Sequence, residues 1–397
     1  MKSYNNNVSL EKILNAVRNG KPIYVKPYKE PKIWGEGGIG EYWYGAEEGN
    51  KSSTAIVGEE AYSLHEIVKN DPKKFLGEKV VDRFGEQLPL VKILTPKGRL
   101  SVQFHDEKNE LWIVTGTDKM IAGGKPWITI GFSQESVNLH GKDVTRHFKE
   151  TLEAYGEKLN SLIDIMINSG CEELLEDKKN VELAAVEAIR KVPESSKISE
   201  VLEELKTARK KLDVFYNRQY VEVGDVIPIP SMTLHALGPG VTVVEPQIAG
   251  PTQSLEDGAT YPVRYAFPAY PRNGYKKMLD IDRVGEMNPE VTKKAFPVVI
   301  EETNHVVVER LPGEFEDKGL EVHRISLKIG AEFQRSLTSF HNIVAINGNA
   351  HIIIDDEEYI IPKALPGGNM LIVPATIKSY KILARENVQI IDTFTPT

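Results

Sequence analysis

The chain has 397 residues, 41% of them hydrophobic and 27% charged, with a formal net charge of -8. That length exceeds what one hydrophobic core usually organises, so two or three packed units are expected. The acidic balance excludes nucleic acid or an anionic membrane as the main partner, and the single cysteine, Cys171, excludes an intramolecular disulfide.

The N-terminal MKSYNNNVSLEKIL lacks the apolar core of a secretion signal, and no apolar run is long enough to cross a bilayer. A cytoplasmic enzyme is the economical expectation. SLEKILNAVRNG reads as an opening helix with Ser9 as N-cap and Gly20 as stop, followed by a strand at PIYVKPY. The aromatic, glycine-rich KIWGEGGIGEYWYG and the segment SSTAIVG come next. Residues 61–76 have helical spacing, with Leu64, Ile67 and Val68 on one face. LPLVKIL, residues 88–94, reads as a buried strand interrupted by Lys92, which is either a snorkelling edge residue or a site residue.

The densest chemistry follows in SVQFHDEKNELWIVTG, residues 101–116, which reads as strand, polar tip and returning strand. Alternation puts Gln103 and His105 on one face, and a hairpin would bring Glu110 back beside His105. Far downstream, GDVIPIPSMTLHALGPG, residues 224–240, carries His235 on a strand launched after Gly224 and Pro230. Taken singly, each of these polar residues is ordinary. Together, one amide oxygen, two imidazoles and one carboxylate form a mixed nitrogen and oxygen ligand set, which suits one Zn2+ and also accommodates manganese, iron or nickel. The spacing resembles the two signatures of the cupin barrels: Gln103, His105, Glu110 and Gly116 fill the first, and Gly224, Pro230 and His235 the second. Met232 stands where the second signature usually has a glycine.

From about residue 144 to 213 the pattern becomes helical. Phe148, Leu152, Tyr155, Leu159, Leu162 and Met166 form one apolar face, and further helices run through VELAAVEAIRKV, ended by Pro193, and past Val201, Leu205, Ala208 and Leu212. The sheet resumes at YVEVGDVIPIP and continues in VTVVEPQ. A Gly/Pro-rich loop then runs to about residue 276, where Tyr261, Arg264, Tyr265 and Arg272 suit a sugar or phosphate site. From about residue 297, many short strands suggest a sandwich or jelly roll that repeats the first barrel. Laying Gly348 over Gly116, and Pro374 over Pro230, puts Leu337, Asn342 and Ser379 where His105, Glu110 and His235 stand. The second copy is therefore expected to lack the ligands, with His341 unrelated to the site.

The chain resembles the type I mannose-6-phosphate isomerases, a zinc-dependent cupin family, in KIWG, GEYW, SSTAIV, LPLVKIL, LSVQFH, KNELWIV and IPSMTLHALGPG followed by VVEPQ. The resemblance implies a mainly β fold of two cupin barrels with a helical insertion, the second barrel without metal ligands. The expected division is a catalytic domain of residues 1–143 and 214–296, an insertion at 144–213 and a C-terminal domain at 297–397. It implies that Gln103, His105, Glu110 and His235 hold the zinc, that Ser101 and Lys108 line the substrate pocket, and that Arg264 of TYPVRYAF acts on the substrate. Asp106 replaces the family's proline, the loop from His105 to Glu110 is compressed, and TYPVRYAF lacks the family's aspartate.

The implied activity is interconversion of mannose 6-phosphate and fructose 6-phosphate through an enediol, with a small sugar phosphate as partner. Glu245 and Lys108 are candidates for the general base, although Glu245 reads equally well as a buried, ion-paired carboxylate. Lys92, Lys108 and Arg264 are candidates for neutralising the phosphate. Rival readings are another cupin isomerase, such as one acting on glucose 6-phosphate, and a non-catalytic, metal-containing sugar binder. A dioxygenase is disfavoured.

Overall fold

The structure is a computed structural model that describes the chain except residues 1–5, 48–50, 106–107, 179–180, 193–195, 249–262, 268–281, 314 and 364–365. Among the described residues the chain forms four antiparallel sheets and a block of helices. Among these residues no helix is long and apolar enough to cross a membrane.

Two sheets share the N-terminal two thirds. The six-stranded sheet runs in the order Val226–Ile229, Glu110–Thr117, Val241–Gln247, Leu90–Leu94, Ile39–Tyr44 and Tyr28–Glu36. The five-stranded sheet runs Tyr216–Tyr220, Trp127–Phe132, His235–Leu237, Val102–His105 and Val263–Phe267. Val102–His105 and Glu110–Thr117 therefore do not form the expected hairpin. Only four residues separate them, yet the chain crosses from one sheet to the other, so Glu110 approaches His105 across the gap between sheets rather than along a ladder. The helices Val144–Asn168, Val181–Lys191 and Ser196–Asp213 join these sheets in one core, with Phe148 edge-on to Phe132 at 5.4 Å and to Tyr216 at 5.8 Å.

The other two sheets carry the C-terminal third. The nine-stranded sheet starts at Val298–Glu302 and ends with Met370–Val373, Ile23–Lys26, Thr54–Val57 and Glu60–Ser63. The first strand of the chain thus pairs with a strand near its end, Ile23 opposite Ile372 and Val25 opposite Met370. The expected catalytic domain thus lends three strands to the far sheet. A four-stranded sheet, Glu332–Ser336, Ser379–Leu383, Ala350–Ile354 and Glu357–Ile361, completes this half, and apolar side chains of both sheets share one core.

Smaller expectations also shift. The helix expected over 61–76 is strand to Ser63, then two short helices, Leu64–Asn70 and Pro72–Leu76, broken where Pro72 follows Asp71. Ser9 is not an N-cap: the opening helix spans Asn6–Arg18, and the Ser9 hydroxyl donates to Glu60 at 2.6 Å. Met232 has φ of 61°, the left-handed conformation that glycine tolerates best. The residue has changed at the cupin glycine position, but the backbone still makes that turn.

Two strand pairs carry similar β-bulges. In one, a bulge falls between Gly116 and Val114, facing Thr242 and Val243; in the other it falls between Ala345 and Asn347, facing Ile390 and Gln389. Matching bulge to bulge pairs Glu110 with His341 and Glu245 with Asp392, one residue away from the overlay on Gly348. A one-residue slip exchanges the two faces of a strand, so His341, not Asn342, stands at the interior position of Glu110.

Candidate metal centre

The centre lies between the six- and five-stranded sheets. Gln103 and His105 come from one strand of the five-stranded sheet, and His235 from its neighbour, with His235 directly opposite Gln103 in the ladder. Glu110 opens its strand in the facing sheet. Ligand atoms of His105, Glu110 and His235 all lie within 4.8 Å of one another, and all three residues are buried. The two imidazole Nε2 atoms stand 3.2 Å apart, the Gln103 amide nitrogen is 3.3 Å from His235 Nε2, and the Glu110 carboxylate is 3.5 Å from His105 and 3.7 Å from His235. The four residues expected from spacing are thus brought together.

The donors suit a divalent ion. His235 Nδ1 lies 2.8 Å from the Thr233 carbonyl and donates to it, which fixes the tautomer and turns the Nε2 lone pair toward the cluster. Burial lowers the His235 pKa, against the opposing pull of Glu110, so the ring stays neutral. Burial would raise Glu110, but Lys108, His235 and Lys92 outweigh it and keep the carboxyl ionised. Two imidazoles, a carboxylate and an amide whose oxygen can be turned inward by a flip are a complete first-row ligand set.

A second row of charge lines the same face of the six-stranded sheet. Lys108 pairs with Glu110 directly. Lys92 is not an edge residue: its strand is flanked on both sides, and its ammonium lies 3.4 Å from Glu245 and 5.0 Å over the Trp43 ring. Burial lowers the Lys108 pKa, while Lys92 is raised because Glu245, Glu41 and Glu110 outweigh its burial. Glu245 accepts from Trp112 Nε1 at 2.8 Å, and burial together with the Glu110 charge pushes its pKa up to about 7. Trp112 also sits edge-on to His235, at 5.6 Å, and so touches both the metal cluster and the candidate base.

Ser101 is buried two residues ahead of Gln103. Arg264 lies on Val263–Phe267 opposite Phe104, whereas Val263 and Tyr265 are the partners of His105 and Gln103. Its side chain, like the whole of Tyr261 and Arg272, lies outside the described residues. Sequence reasoning gave no role to Glu41, which is 3.2 Å from Lys32 and accepts from Trp43 Nε1 at 2.8 Å, or to Gln247, which faces Glu110 in the ladder. The only signal for either was its place in GEYW and VVEPQ.

Residues 23–122 match the sequence model of phosphomannose isomerase type I, catalytic domain. The mannose-6-phosphate isomerase of Escherichia coli is 34% identical over 88 residues, so this chain spans 22% of the length of that curated relative, and 22% of the chain is matched. The crystal structure of the mannose 6-phosphate isomerase from Bacillus subtilis has a TM-score of 0.58 at 17% identity, covering 94% of this chain and 99% of that one. A zinc-bound mannose 6-phosphate isomerase has a TM-score of 0.60 at 15% identity, covering 95% and 100%. The motif resemblance is borne out by the family match, and the structural likeness carries the mainly β fold along nearly the whole chain.

Proposed function

We propose that this protein is a metal-dependent aldose–ketose isomerase that interconverts mannose 6-phosphate and fructose 6-phosphate. The observation that carries the reading is the convergence of His105, Glu110 and His235 beside a carboxylate, Glu245, whose pKa is near neutrality. Gln103, His105, Glu110 and His235 would hold one Zn2+, the metal that suits two imidazoles and hard oxygen donors. When bound, the ion supplies Lewis acidity toward a sugar carbonyl and its neighbouring hydroxyl.

The remaining work falls to the chain. Glu245, close to neutral pH in its own pKa, is suited to take a proton from one carbon and return it to the next, and the Trp112 N–H holds its carboxylate in place. Lys92, buried and cationic beside Glu245, offsets charge that develops during the transfer. Lys108, paired with Glu110, and Ser101, two residues ahead of Gln103, are the candidate substrate contacts, and Arg264 is the candidate partner of the phosphate that the family resemblance implies.

We further infer two cupin barrels, with the catalytic unit at 1–143 and 214–296, the helical insertion at 144–213, and a second barrel at 297–397 that holds no metal. Where the first has Glu110 and Glu245, the second has His341 and Asp392, joined at 2.7 Å, and the Arg335 guanidinium lies 3.3 Å from Asp392 as a built-in cation.

Purified, zinc-loaded protein should turn over mannose 6-phosphate and fructose 6-phosphate in a coupled assay, and unphosphorylated mannose far more slowly. It should also wash solvent deuterium into the transferred position. Turnover confined to glucose 6-phosphate would reassign the substrate, and binding without any deuterium exchange would make the protein a sugar binder.

A further inference from the structure

We propose that Gln247 is a substrate-binding residue that reads two neighbouring oxygens of the open-chain sugar, and so helps to set specificity at the site described above. The inference rests on the isomerase reading and deepens it. Gln247 is 1% exposed, and among the described residues neither its amide oxygen nor its amide nitrogen has a hydrogen-bond partner. Buried polar groups are nearly always paired, so an amide left open at both ends needs an explanation.

Its surroundings supply one. In the ladder Gln247 stands opposite Glu110 on one side and Leu90 on the other. Directly opposed residues project from the same face of a sheet, so Gln247 shares the face of Glu110 and, two residues back along its own strand, of Glu245. Leu90 has no polar group to offer it. The side-chain nitrogen of Asn109, next to Glu110, is also buried without a partner among the described residues.

The other polar groups on this face are the Trp112 N–H, already donated to Glu245, and charged side chains. Lys92 and Lys108 only donate, and the carboxylates only accept when ionised. An amide does both and does not titrate: its N–H matches a carbonyl oxygen, and its oxygen matches the neighbouring hydroxyl. That pair is what an open-chain sugar presents at the carbons being isomerised. A site built to bond a hydroxyl rejects analogues that lack it, because its own buried groups are then left bare.

The test measures binding of sorbitol 6-phosphate and its monodeoxy analogues, open-chain polyol phosphates that cannot isomerise, by titration calorimetry on the zinc-loaded protein. Gln247→Met keeps the size and removes both polar ends. The parent should bind sorbitol 6-phosphate and discriminate against one monodeoxy analogue; the variant should bind the full polyol about 10-fold or more weakly, the loss expected of roughly one good hydrogen bond, and show no preference over that analogue. Its melting temperature should hold or rise, because two unpaired buried groups are gone. Gln247→Asn, which keeps an amide but withdraws it by one methylene, should weaken binding in the same direction. If either folded variant binds and discriminates as the parent does, the amide faces a structural water or nothing, and the proposal falls alone. If the parent binds no polyol phosphate, the isomerase reading falls with it.

Discussion

Among individual residues, the metal ligands are the most legible part of this protein. Cupin spacing names Gln103, His105, Glu110 and His235 without any coordinates, because a ligand set must recur at fixed offsets to meet at one point. The structure adds the protonation state. Burial lowers the His235 pKa, so in the folded protein its proton returns only below the ordinary imidazole midpoint of 6.5. Ligation needs the neutral ring; metal should therefore be retained as pH falls through 6.5 and be released only at lower pH. Atomic absorption on protein equilibrated across pH 4–8 checks this, and half-release above 6.5 would contradict it. Glu110→Ala should lose stoichiometric metal at every pH. Glu41 and Gln247 were not legible in the same way. Their roles depend on which strands lie side by side, and no local pattern records that order.

Among elements, local pattern found most strands but not their partners. The apolar runs at LPLVKIL and VTVVEPQ became strands, whereas the polar EFQRS at Glu332–Ser336 carries no such run, because only Phe333 is buried in it. The hairpin expected at 101–116 failed for a physical reason: four residues can turn a ladder or cross between sheets, and sequence does not distinguish the two. The N-terminal strand in the C-terminal sheet is the largest such surprise. It makes a direct prediction, since residues 297–397 expressed alone would leave Met370–Val373 as an open edge with Met370 and Ile372 stripped of the N-terminal core that covers them. Unpaired apolar edges aggregate. The fragment should elute as soluble aggregate or lack cooperative unfolding, and fusion to residues 20–63 should restore a monomer. A cooperative, monomeric fragment without that addition would show that the shared sheet is dispensable.

Across the whole molecule, two carboxylates on one sheet face pull stability in opposite directions with pH. Burial raises Glu41, but Lys32, Lys92 and the Trp43 hydrogen bond prevail and hold its pKa down at about 2, below the ordinary 4.5. Its ionised form is favoured by the fold, so its contribution is complete above 4.5 and is lost as pH falls toward 2. Glu245 behaves oppositely: with its pKa pushed up to about 7, the fold favours the protonated acid, and stability is lost as pH rises from 4.5 through 7. Each shift of about 2.5 units corresponds to on the order of 3 kcal/mol. In metal-free protein, Glu245→Gln imitates the protonated acid. It should match the parent near pH 4.5 and exceed it by up to about that amount at pH 8, as read from urea unfolding at the two pH values. Glu41→Gln should instead weaken the fold at pH 8 and converge on the parent near pH 2. A divalent ion beside Glu110 offsets the negative charge that helps to raise Glu245, so loading the parent with zinc should shrink the advantage of Glu245→Gln at pH 8. A Glu245→Gln protein no more stable than the parent at pH 8 would mean that Glu245 is simply ion-paired with Lys92 and not held near neutrality. The same measurement would then remove the main support for Glu245 as the base.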